Sequence, residues 1–277
     1  MLPGQPATGF FLRWVDVVLR ALLSLLAVVW SVTPAVSGAT SEPGSVPATE
    51  AEYVVVLHGL GRTERAMRPL AERIAQQGYR VFNVAYPSRN LAPEQLIEVI
   101  ERAVADCCRD ARRLHFVTHS LGGILVRARL AANPDPRVGR VVMLSPPNQG
   151  TELVDTLGAN WLFEAVMGPT ASELGTGPDS LPNRLPPPDV EVGIIAATGS
   201  INPLGSLLIP GEDDGIVALC RMWLEGAEMI AVEDSHAMMM RSPEVARQVL
   251  LFISEGRFDH TAAEAVLDPP ECADPDE

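Results

Sequence analysis

From residue 51 onward the chain alternates two patterns: short β-branched runs, and longer stretches with apolar residues at helical spacing. Tyr53 to Leu57 (YVVVL) has no polar interruption, the pattern of a strand buried on both faces of a parallel sheet. Residues 63–77 place Met67, Leu70 and Ile74 one helical turn apart, and Gly78 stops that helix. Arg80 to Ala85 is the next strand, closed by Pro87. Leu91 to Arg109 is helical, Leu114 to Thr118 a strand, Leu121 to Ala132 a helix and Val138 to Leu144 a strand. Val190 to Thr198 and Glu228 to Val232 are two more strands, and Pro243 to Ser254 is the last helix. Such alternation predicts an α/β fold: a mostly parallel, doubly wound sheet of about six strands, with helices on both faces and right-handed crossovers. Residues 146–189 break the rhythm. They hold one helix-like stretch, Glu152 to Met167, and then a Gly- and Pro-rich run, which reads as a short lid-like insertion above the sheet.

The ends differ from this core, which spans 51–258. Arg13 and Arg20 precede an apolar run from Ala21 to Val32, followed by Ala35, Ser37, Gly38 and Ala39. That order predicts a signal peptide over 1–39, and with it a secreted or periplasmic protein. The alternative is an N-terminal membrane anchor, although the run is shorter than the ~20 residues of a spanning helix. Residues 40–50 read as a linker and 259–277 as an acidic, solvated tail.

Composition narrows the partners. At 47% hydrophobic and 20% charged residues, wholesale disorder is excluded. All 21 basic residues are Arg, and they are outnumbered by 35 acidic ones for a formal charge of -14. Scattered Arg in an acidic chain gives no footprint for a phosphate backbone, so nucleic acid is not an expected partner. Cys107, Cys108, Cys220 and Cys272 are too few for a disulfide scaffold and fit no zinc spacing. Four free or partly buried thiols are expected, with at most one of the adjacent pair reaching Cys220. No metal ligand set or dinucleotide fingerprint stands out, so no cofactor is expected. Glu212, Asp213 and Asp214 would hold calcium only with carbonyl help.

The strand Leu114 to Thr118 runs through His119 into Ser120-Leu121-Gly122-Gly123 and a helix. A Ser at such a junction is lifted off the sheet beside a helix N-terminus, and the two glycines give the turn its room. Ser is also a frequent N-cap, which is the plain alternative. A nucleophilic Ser needs a base. His58 and His119 adjoin backbone features, His115 lies within a strand and His260 starts the tail. That leaves His236, in a loop at the carboxyl edge of the sheet, where ligands of open α/β sheets collect. The base in turn needs a carboxylate. Asp214 is preferred to Asp213 because Gly215-Ile216-Val217 follows it and can anchor the loop. An oxyanion hole would take the N–H groups of Leu121 and of Leu60 in His58-Gly59-Leu60-Gly61. Leu153, Val154, Leu157, Trp161, Leu162, Val166 and Met167 recur at helical spacing. They either pack on the sheet or line an acyl pocket, with Trp161, Leu162 and Met167 as substrate-binding candidates.

LHGLGR, THSLGG, SPPNQG, DDGIV and DSHAMMMRSPEV, in this order, resemble the α/β-hydrolase superfamily, and within it bacterial esterase- and lipase-like hydrolases. The resemblance spans about residues 53–254. It implies the α/β-hydrolase fold, and an Asp-Gly-x-Val setting supports Asp214 as the acid. Thr118 stands where the superfamily pattern has Gly, and the usual two leading strands are missing.

The expected function is therefore hydrolysis of a carboxylic ester, a small molecule or a lipid, through Ser120, His236 and Asp214. Two alternatives stay open: acyl transfer by the same triad, and a non-catalytic binding or lipase-folding role on the same scaffold. Peripheral membrane contact through the apolar segment, or anchoring by the N-terminus, accompanies a lipid substrate.

Overall fold

In the computed structural model, which describes residues 52–266 and 268–273, seven strands form one sheet in the order β2-β1-β3-β4-β5-β6-β7. They are β1 (Glu52–Leu57), β2 (Arg80–Val84), β3 (Arg113–His119), β4 (Val138–Leu144), β5 (Glu191–Gly199), β6 (Glu228–Ser235) and β7 (Glu264–Val266). All pairings are parallel except β6 with β7. The main helices are α1 (Glu64–Ala75), α2 (Pro93–Cys107), α3 (Leu121–Ala132), α4 (Glu152–Leu157), α5 (Trp161–Met167) and α6 (Pro243–Glu255). The expected leader over 1–39 and linker over 40–50 lie outside the described residues. Among the described residues no helix is long and apolar enough to cross a membrane.

Both faces of the sheet are covered. Val54, Val56, Val117, Val142 and Ile195 share one face with Met67, Leu70 and Ile74 of α1 and with Val245, Val249 and Phe252 of α6. Phe116 alternates with Val117 and so points to the other face, where Arg129 of α3 lies over its ring at 5.4 Å. Burial on both faces explains why β1 reads as a continuous apolar run, and β3 is buried throughout beyond Arg113 although it carries His115, Thr118 and His119, while the edge strand β2 is only partly covered.

Three expectations change. The tail is not wholly solvated: Glu264–Val266 pairs with β6, Met229 opposite Val266, so the sheet has seven strands rather than six. Its antiparallel pairing covers an edge of β6 that would otherwise be unpaired. The helix expected over 152–167 is two helices. Gly158 ends α4, and the Asn160 side chain accepts from the Leu162 N–H at 2.9 Å to start α5. The cysteines are not free: Cys107 bonds Cys108, and Cys220 bonds Cys272. The strand at 264–266 brings the tail back past the sheet and delivers Cys272 to Cys220.

The insertion is tied down through Arg127 of α3. Its buried guanidinium donates to the Asn148 carbonyl and side chain and to the carbonyls of Pro182 and Leu185. Burial without a carboxylate partner pulls its pKa down to about 10.

Candidate active site

Parallel strands send all their carboxyl ends to one rim. From β1 the chain moves outward to β2, then returns to the other side of β1 as β3. The loops after β1 and β3 therefore part at the topological switch point, the place where open α/β sheets bind their ligands. Gly59 and Ser120 stand in these two loops. A Cβ built on Gly59 would lie 3.1 Å from the Ser120 Cβ and 2.8 Å from His119 Nδ1, so only glycine allows this approach.

Ser120 has φ 53° and ψ -123°, a left-handed conformation rare for a non-glycine residue. Its N–H bonds the Leu144 carbonyl at 2.9 Å and its carbonyl accepts from Gly123 at 2.9 Å, which fixes the turn. Its hydroxyl does not cap α3. Thr118 fits in place of Gly: it is fully buried, and its hydroxyl faces the Val142 carbonyl at 3.4 Å. The N–H groups of Leu60 and Leu121 donate to no acceptor among the described residues. One lies in the glycine-containing loop after β1 and the other opens α3, so both are free donors at the carboxyl rim of the sheet.

His236 follows β6 directly. Its Nδ1 lies 2.6 Å from Asp214 Oδ2. Asp214 is 2% exposed, and its Oδ1 accepts the N–H groups of Ile216 and Val217 at 3.0 and 2.9 Å. A carboxylate only accepts here, so Nδ1 carries the proton and Nε2 keeps its lone pair. Asp213 is turned away: its Oδ1 accepts from the Ser206 hydroxyl and the Gly215 N–H. Among the described residues no hydrogen bond joins Ser120 to His236. Ser120 is 9% and His236 7% exposed, and neither Ser120 Oγ nor His236 Nε2 is a sealed, unpartnered atom. Serine–base bonds commonly tighten only when substrate is bound.

His119 has a larger part than a loop neighbour. Its Nε2 bonds the His236 carbonyl at 2.9 Å, and the two rings stand 4.7 Å apart. Since a carbonyl only accepts, Nε2 is the donor. Burial, then the nearby His236, holds the His119 pKa well below its ordinary value, so the ring is neutral. His58 is anchored by stacking on Tyr86 at 4.0 Å, and the Tyr86 hydroxyl donates to the His58 carbonyl. The substrate-binding candidates do not gather into a buried wall. Trp161 is 77% exposed, Leu162 and Met167 are half-buried, and α5 buries Phe163 instead.

Comparison with known proteins agrees with the fold. The phospholipase PlaB from Legionella pneumophila superposes with a TM-score of 0.58 at 16% identity, over 73% of this chain and 58% of that one. The mature lipase BlEst2 from Bacillus licheniformis gives 0.57 at 20% identity, over 77% and 95%. The metagenomic carboxyl esterase MGS0156 gives 0.55 at 21%, over 76% and 71%. The match thus spans little more than half of PlaB. No curated protein sequence matches. The family model described as the alpha/beta hydrolase family matches residues 54–248. The chain belongs to the alpha/beta hydrolase family.

Proposed function

We propose that the protein is a serine hydrolase of carboxylic esters, with Ser120 as nucleophile, His236 as general base and Asp214 as its orienting acid. The observation that carries this reading is the His236–Asp214 pair at 2.6 Å, set on the same rim as a strained Ser120. Ser120 Oγ attacks the acyl carbon while its proton passes to His236 Nε2. The Asp214 carboxylate stabilises the imidazolium that results. The carbonyl oxygen becomes an oxyanion held by the free N–H groups of Leu60 and Leu121, a contribution worth about 100- to 1000-fold in rate per donor. His236 then protonates the leaving alcohol, and water activated by the same nitrogen releases the acid.

We also propose export from the cytoplasm. The charged, apolar, small-residue order of 1–39 supports it, as do the two disulfides, which persist in oxidising compartments.

A chain-length series of p-nitrophenyl esters tests the activity on the purified protein. Turnover is expected for at least one length, together with labelling of Ser120 by a fluorophosphonate probe. Turnover that survives in Ser120→Ala would sink the assignment of the nucleophile. Absence of both turnover and labelling in the native protein would sink the hydrolase reading and leave a binding role.

A further inference from the structure

Leu60, whose free N–H receives the oxyanion in the proposed mechanism, sits in a turn that is held peptide by peptide. The Arg62 N–H donates to the Gly59 carbonyl at 3.2 Å and closes the turn. Gly61 takes its third position at φ 68°, a left-handed value that glycine adopts freely. His58 Nδ1 lies 2.9 Å from the same Gly59 carbonyl. A carbonyl only accepts, so Nδ1 is the donor. A planar trans peptide sends its N–H opposite to its C=O. With the Gly59 carbonyl turned inward to two donors, the Leu60 N–H faces out of the turn.

The peptides on either side are held from the loop after β2. Before Leu60, the Tyr86 hydroxyl donates to the His58 carbonyl, and its ring stacks on the His58 ring at 4.0 Å, within 8° of parallel. After Leu60, the Ser88 hydroxyl accepts the Gly61 N–H at 3.0 Å. Tyr86, Ser88 and His58 are all buried, so water does not compete for these bonds. Tyr86 and Ser88 are themselves fixed. The Ser88 N–H bonds the Tyr86 carbonyl at 3.0 Å, and the Asn90 N–H bonds the Pro87 carbonyl at 2.9 Å. The insertion braces this loop from its far end. The Thr170 hydroxyl donates to the Leu91 carbonyl at 2.8 Å, and Gly168 lies so near that a Cβ there would stand 1.8 Å from the Arg89 carbonyl oxygen. The pairing of β2 with β1 ends at Val84, so sheet formation does not require either hydroxyl. Both are spent on one turn, on the two sides of a donor that is left free.

We propose that Tyr86 and Ser88 are positioning residues of the oxyanion hole: they clamp the peptides before and after Leu60 and so aim its N–H at the acyl oxygen while Ser120 attacks. This rests on the ester-hydrolase reading and extends it to two residues that act through Leu60. Oxyanion donors accelerate a reaction when they are oriented before the charge develops. A displacement of about 1 Å at such a site costs about 100-fold in rate.

Two substitutions on the purified protein test the clamp. Tyr86→Phe removes one of its bonds and keeps the stacking ring, and Ser88→Ala removes the other. Active sites are counted by fluorophosphonate titration, so that kcat refers to folded protein only. On a p-nitrophenyl ester, kcat is expected to fall about 10- to 100-fold in each variant while KM stays within about twofold. An alkyl boronic acid takes the Ser120 oxygen and becomes a tetrahedral anion, so it calls on the same donors as the transition state. Its Ki should rise by about the factor by which kcat falls. Ser88→Thr keeps the acceptor oxygen and should recover most of the loss. Tyr53→Phe deletes a hydroxyl that meets Asp110 at the amino end of β1, and should leave kcat and Ki as they are. If kcat and Ki per active site are unaltered in both variants, and only Tm or the titratable fraction falls, the proposal is overturned. A rise in KM at unaltered kcat overturns it too, since that marks loss of ground-state binding. A loss in one variant alone removes the role from the residue that stays silent. Should the native protein neither cleave an ester nor take the probe, the hydrolase reading itself fails, and the clamp's role with it, before any variant is compared.

Discussion

At Asp214 the difference between neighbouring residues is set by two backbone N–H groups. Ile216 and Val217 turn back to Oδ1, which leaves Oδ2 for His236, while Asp213 serves Ser206 and its own loop. Substituting Asp214→Asn keeps the shape but offers His236 Nδ1 an amide in place of a carboxylate. In the reading above kcat should fall by about 10,000-fold, as loss of the tautomer-fixing acid does in serine hydrolases. Asp213→Asn should change kcat less than tenfold, because its partners are Ser206 and Gly215. A pH-controlled kcat measurement on the two variants decides between them, and equal losses would remove the distinction. Ser120, His236 and the Gly-Ile-Val setting of Asp214 were legible in sequence, because chain order and strand ends limit the candidates. The bond from His119 to the His236 carbonyl was not, since it joins residues 117 positions apart and leaves no local pattern. Trp161 was readable only as apolar and periodic; its outward direction depends on how α5 docks.

Elements longer than two turns were visible through periodicity, and shorter ones were not. The helices α1, α2 and α6 each repeat apolar residues on one face over at least twelve positions, whereas α3 is buried on all sides from Leu121 to Leu130 and was marked by its Asn133-Pro134 stop. The four-residue turns Leu181–Arg184, Pro203–Ser206 and Leu219–Met222 are too short to show a period. The break between α4 and α5 did leave a mark, in Gly158 and Asn160, a helix stop followed by a cap. The junction of β3 with α3 is the element on which the site depends most. A Cβ on Gly122 would stand 3.0 Å from the carbonyls of both Leu57 and His58, and backbone cannot swing aside as a side chain can. Gly122→Ala should therefore destabilise the fold by about 1–3 kcal/mol and lower kcat with it, by forcing the loop after β1 away from the Ser120 turn. Gly177→Ala, where a Cβ meets nothing within 4 Å, should stay within about 0.5 kcal/mol of the native protein. Urea unfolding of both variants checks the contrast; similar midpoints would refute the crowding argument.

Across the whole molecule, a tail strand and a disulfide close the β6 edge, and neutral histidines are sealed in the interior. Cys220–Cys272 holds the tail beside the Asp214 loop, where a Cβ on Gly211 would come 3.5 Å from that of Ala273. Acid should act on the histidines first. Burial lowers the pKa of His58, His115 and His119, and for His115, with Arg113 and Arg140 adding to burial, it falls from 6.5 to about 4. Glu52 approaches His115 at 3.6 Å but is itself 41% exposed, so it does not restore the charge. Above pH 6.5 these rings are neutral whether the chain is folded or not, and they carry no penalty. Below it the unfolded chain binds protons that the folded one refuses, so stability falls with pH by up to about 1.4 kcal/mol per unit for each ring. For His115 the loss runs from pH 6.5 to about 4, where the folded ring protonates too, and reaches about 3 kcal/mol. Both ring nitrogens of His115 are buried without a hydrogen-bond partner. His115→Leu should therefore be close to neutral at pH 7.5, where no charge is at stake, and should retain more stability than the native protein at pH 4.5. Urea unfolding of both proteins at the two pH values measures this, and parallel losses would show that His115 takes no part in the acid response.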